Sequence, residues 1–128
     1  MDHGRDYAEM VAQMMIPFGE FLGSVTVPRI DLTVMSKTLR VQEVAVKLKT
    51  LLDAQYGVLP DVIVIACKNW VDAWYGAISL GADIEMVPSA SAREAAKGAF
   101  TYLLGQMIGI QALLDTWAAG GDLTTVME

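Results

Sequence analysis

Cys67-Lys68-Asn69 is the first place in this chain where residue types could do chemistry. A thiol needs a lowered pKa to act as a nucleophile, and a helix N-terminus or a neighbouring ammonium such as Lys68 can supply it. The partner for such a thiol is missing. The only histidine is His3, far away in sequence, and the small glycines of a nucleophile elbow are absent. Pro88-Ser89-Ala90-Ser91-Ala92-Arg93 is the second candidate. Its backbone N–H groups, the hydroxyls of Ser89 and Ser91 and the Arg93 guanidinium could converge on an anion, although Ser89 and Ser91 are also ordinary helix-capping residues. If the two segments lie side by side, Cys67 and Lys68 would be the catalytic pair, and Asn69, Ser89, Ser91 and Arg93 the ligand-binding set, of one crevice at the strand ends of a small α/β fold.

Other chemistry is thinly represented. Asp83 and Glu85, two apart on a strand, would share one face and could handle a proton or a cation together, but exposed carboxylates are the simpler account. One histidine and one cysteine make no zinc set, and the acids lack the spacing of a calcium loop, so no metal is expected. No Gly-rich phosphate loop or dinucleotide fingerprint occurs, so no cofactor is expected. The formal net charge of −6 argues against nucleic acid, because Lys37, Arg40, Lys47 and Lys49 are the only local basic concentration and lie among Glu43 and Asp53.

The elements that would position these residues follow from hydrophobic periodicity. Tyr7, Met10, Val11, Met14, Phe18, Phe21 and Leu22 form one helical stripe over residues 6–22, with Pro17 predicted to kink or break it near Ile16. Residues 24–35 alternate like a bent edge strand, changing phase at Pro28-Arg29. Ser36 can cap a helix carrying Val41, Val44, Ala45, Leu48, Leu51, Leu52 and Gln55/Tyr56, closed by Gly57. Val62-Ile63-Val64-Ile65-Ala66 is a continuous, β-branched apolar run that suits a central strand. A helix over residues 69–80 brings Trp70, Val71, Trp74, Ala77 and Ile78 together, and residues 83–87 read as another short strand. A long helix over residues 91–118 ends at Gly120-Gly121, and residues 122–128 could add a strand. The expectation is a single domain over residues 1–128, α/β or α+β, with a partly parallel sheet of three or four strands, about four helices and a long C-terminal helix.

That last helix carries the strongest functional signal. Ala96, Ala99, Phe100, Leu103, Met107, Ile110, Leu114 and Trp117 form its core stripe. Opposite lie Gly98, Thr101, Gly105, Gly109, Ala112 and Thr116, all small and uncharged. Two contact faces need two neighbours. The composition is 54% hydrophobic and 19% charged, which also leaves apolar surface in search of cover. Met10 and Met14 add a pliable surface on the first helix. Residues 98–114, the charge-free stretch between Lys97 and Asp115, are short for a membrane span and contain two Gln and three Gly, so a membrane is not the expected partner.

The leading expectation is a non-enzymatic, homo-oligomeric structural or adaptor subunit of the ring, sheath or virion-connector type. Its interface would use Gly98, Gly105, Gly109, Ala112, Met10 and Met14, with a second copy of the chain, or another protein, as partner. The alternative is a small enzyme or anion-binding domain built on the Cys67/Ser89 crevice. A lone Cys67 and an N-terminus without a signal-peptide pattern make the cytoplasm, or a virion, the expected location.

Overall fold

From Ile63 to Gly81 the apolar residues recur every three or four positions, and the chain answers that rhythm with one uninterrupted helix through the middle of the molecule. The structure is a computed structural model, and it describes residues 3–121. Its elements are α1 (His3–Val25), α2 (Leu32–Thr38), α3 (Val41–Asp53), α4 (Asp61–Asp83), a 3-10 turn (Ile84–Met86) and α5 (Ala90–Ala118). The architecture is a helical bundle. The expected α/β sheet is absent among the described residues, where the β-type pairing is an isolated bridge between Tyr56 and Leu59.

Each predicted strand has a physical reason for being something else. Val62 to Ala66 is the first turn and more of α4, with Pro60 at its N-cap and Asp61 in its first turn. Ile63, Val64, Ala66 and Cys67 are buried because three other helices surround α4, while Ile65 points outward. Residues 24–35 comprise the end of α1, a loop with a cis Val27-Pro28 peptide, and the start of α2. Thr26 holds that loop, its hydroxyl donating to Leu22 C=O at 2.7 Å and accepting from Ile30 N–H at 2.8 Å. Residues 83–87 are the last residue of α4 and a 3-10 turn, so Asp83 and Glu85 are not aligned on a strand. The possible strand at 122–128 lies outside the described residues.

Helix boundaries also moved. The Asp31 carboxylate, accepting from Val34 N–H at 3.2 Å, caps α2, and Ser36 sits inside that helix, donating to Thr33 C=O. Helix α1 runs through Pro17 without a break. Phe18, Phe21 and Leu22 beyond the proline are buried, and burying three such side chains outweighs the helix bond that proline removes.

α4 packs against α5, α1 and α3. Lys49–Asp72 at 2.9 Å and Lys68–Asp53 at 2.6 Å show α3 and α4 running in opposite directions. Tyr7 meets Phe100 and Phe21 meets Trp117, so α1 and α5 run the same way, both against α4. Gly81 is where three of these helices come closest. A Cβ there would stand 3.1 Å from both Tyr7 Cβ and Phe100 Cε2, so only glycine fits without displacement. At the far end, Gly120 adopts φ +79° and Gly121 N–H donates to Thr116 C=O at 2.8 Å, which closes α5 with a Schellman turn.

Candidate functional site

Cys67 is fully buried in α4, and burial pushes its thiol up from 9.0 to about 12. It therefore stays protonated at neutral pH, the opposite of an activated nucleophile. Lys68 turns the other way, toward Asp53 and over the Tyr56 ring at 5.7 Å. Its pKa is raised chiefly by the hydrogen bond to Asp53; partial desolvation opposes the rise, and the charges of Asp53, Tyr56 and Asp72 reinforce it. Asn69 is exposed and lines a shallow groove of about 700 Å³ between α4 and α5, with Asp72, Leu103, Gln106 and Gly109.

Ser89 caps α5, accepting from Ala92 N–H at 3.0 Å, and its hydroxyl lies 3.5 Å from that of Ser91. Arg93 is exposed one turn later, its N–H bonded to Ser89 C=O. Cys67, Lys68 and Asn69 lie toward the start of α4, whereas Ser89, Ser91 and Arg93 follow its end. The run of α4 from Asn69 to Asp83 alone spans about 21 Å. The structure therefore brings Ser89, Ser91 and Arg93 together and keeps them apart from Cys67, Lys68 and Asn69. Without a sheet among the described residues there is no strand-end crevice for the six to share.

The predicted contact residues fall on two adjoining surfaces. On α5 only Phe100, Met107 and Leu114 are fully buried. Gly98, Gly105 and Gly109 face open space, with nothing within 4 Å of a Cβ built on any of them. Tyr102 is 67% exposed and Ile108 62% exposed on the flanks of that glycine stripe. The outer face of α5 is thus uncovered and uncharged from residue 98 to residue 114.

Met10, Met14 and Ala112 lie in a groove of about 560 Å³ between α1 and α5. Pro17, Leu104 and Ile108 complete its apolar walls, and Gln13, Trp70, Gln111 and Asp115 also line it. Trp70 comes from α4 and is clamped by stacking on Phe18, with ring centroids 3.7 Å apart. Its indole N–H is buried and has no partner. Gln111 donates from Nε2 to Asp115 Oδ1 at 2.9 Å, while its Oε1 is buried and also has no partner. Sequence reasoning treated Trp70 as packing and passed over Gln111. The signal available was a glutamine on the boundary of α5's core stripe, but its meaning depends on α1 lying alongside.

Among the described residues no three His, Cys, Asp or Glu side chains cluster as a metal site, and no helix is long and apolar enough to cross a membrane. Compared with known proteins, the chain matches no family model, no curated protein and no solved structure.

Proposed function

We propose that this protein works by self-assembly, as a non-enzymatic structural or adaptor subunit of the ring, sheath or connector kind. Its contact surface is the outer face of α5, continued onto the Met10 edge of α1. One observation carries the reading: a 29-residue helix leaves its outer face open to solvent and free of charge from residue 98 to residue 114, with Tyr102 and Ile108 exposed beside three glycines that obstruct nothing. Apolar surface in water is unfavourable by roughly 25 cal/mol per Å², and a facing helix would remove it. Glycines at residues 98, 105 and 109 allow that helix to come close, backbone near backbone. A cytoplasmic or virion setting belongs to the same proposal and is supported by the buried, unpaired Cys67.

The test is native mass by light scattering over a wide concentration range, on the parent chain and on Gly105→Leu. The parent should give a fixed multiple of 13.9 kDa. Gly105→Leu meets open space within the monomer and gains helix propensity, by up to about 1 kcal/mol, so it should fold normally yet lose association. A monomeric parent, or a variant that associates like the parent, overturns the proposal. The Cys67/Ser89 alternative has no geometric support, because its residues occupy separate regions of the bundle.

A further inference from the structure

The groove between α1 and α5 contains something a mere packing defect would not need: one donor and one acceptor, both buried, both unpaired, on side chains that line the same space. An unmade bond of this kind is costly, so native structures seldom keep two together. Neither group can readily turn away. Trp70 is 1% exposed and lies near-parallel to both Phe18 and Trp74, which fixes the indole plane. Gln111 is tethered by its amide nitrogen to Asp115, and that carboxylate settles which end of the amide carries the hydrogens.

We propose that this groove binds a small apolar molecule bearing one neutral hydroxyl, which accepts from Trp70 Nε1 and donates to Gln111 Oε1. A hydroxyl is the simplest single group that does both. Charge decides against the other common head groups. Asp115 is the only acidic or basic side chain among the described lining residues and the chain is acidic overall, so a carboxylate or phosphate head is repelled. An ammonium head can donate to Gln111 but has no lone pair for the indole. A volume of about 560 Å³ falls within the 300–1,000 Å³ common for small-molecule sites. Met10 and Met14 line the same groove, unbranched side chains that can move aside to admit the hydroxyl. One chain supplies all of these lining residues, and its Met10 and Ile108 rim adjoins the face proposed for self-assembly.

The experiment is calorimetric titration of the full chain with 1-decanol and with decanoate, both below their aggregation concentrations. It is repeated on Gln111→Met, which removes the acceptor, and on Ile108→Trp, which fills the groove from its exposed rim. Circular dichroism confirms that both variants fold. Decanol should bind once per chain and at least about tenfold tighter than decanoate. Gln111→Met should weaken decanol about tenfold, the worth of one lost hydrogen bond, and Ile108→Trp should abolish binding. Absence of decanol binding, equal affinity for decanoate, or a Gln111→Met variant that binds decanol as well as the parent each overturns the proposal. Decanol binding that survives in Ile108→Trp would likewise overturn it, whatever that variant does to association.

Discussion

Cys67 shows how one side chain's surroundings reverse the chemistry its neighbours suggest. Beside Lys68 in sequence it looks activated, but on a helix the next residue points about 100° away, and Lys68 goes to Asp53 while the thiol enters the core. The folded state keeps the thiol proton up to about pH 12, whereas the unfolded chain releases it near the ordinary value of 9.0. Above that value the unfolded state binds fewer protons, so stability should fall as pH rises from 9 toward 12, by about 1.4 kcal/mol per unit. Lys68 adds a loss of the same sign, since a raised lysine pKa stabilises only until pH climbs through it. Urea unfolding of the parent and of Cys67→Ala across that range separates the two, because the variant should keep only the lysine contribution. Equal slopes would mean that the thiol is not shielded. Gln55 is the counterpart that sequence did mark without explaining. It occupies an apolar register after α3, is 1% exposed, and clamps Val27 by donating to its C=O and accepting from its N–H, each at 3.2 Å. Gln55→Leu should lower unfolding free energy by about 1–3 kcal/mol, since both Val27 groups lose their partner. The register was legible; the bond was not, because it joins residues 28 apart.

At the scale of elements, the helices with long amphipathic stripes were readable and the short runs were not. The stripes of α1, α3 and α5 span several turns, enough for a period of 3.6 to stand clear of a period of 2. Val62 to Ala66 covers less than a turn and a half, and its β-branched composition argued for a strand. The helical rhythm emerges only when the run is joined across Cys67 and Lys68 to Trp70, Val71, Trp74, Ala77 and Gly81, all buried along α4. A helix enclosed by α1, α3 and α5 is apolar on most sides, so a short window of it resembles a buried strand. Pro17 makes the converse case, a strong local breaker overridden by packing. Pro17→Ala should restore a hydrogen bond to Gln13 C=O and raise stability by about 1–3 kcal/mol in chemical unfolding, without altering the helical signal. A loss of stability would show that the ring's contacts along the groove are worth more than the missing bond.

For the whole molecule, the decisive quantity is where an apolar surplus goes once the core is full. The bundle buries Phe18, Trp70, Phe100 and Met107 around α4, yet Ile16, Val46, Met86, Tyr102 and Ile108 remain more than half exposed. Scattered apolar residues are ordinary on any surface; Tyr102 and Ile108 differ because no charge interrupts the face they flank. Self-assembly through that face has a distinctive salt signature. An interface held by ion pairs weakens as salt screens them. Here the joined surfaces carry no charge from residue 98 to residue 114, while each subunit brings a net charge of −6 to its neighbour. Screening removes that repulsion and leaves apolar contact untouched, so association should tighten as ionic strength rises from millimolar to physiological. It should also weaken on cooling, as apolar burial does. Sedimentation of dilute protein at two salt concentrations and two temperatures reads both trends at once. Dissociation by salt would place the contact on charged residues elsewhere, such as the Glu94 and Lys97 end of α5, and would move the interface off the glycine face altogether.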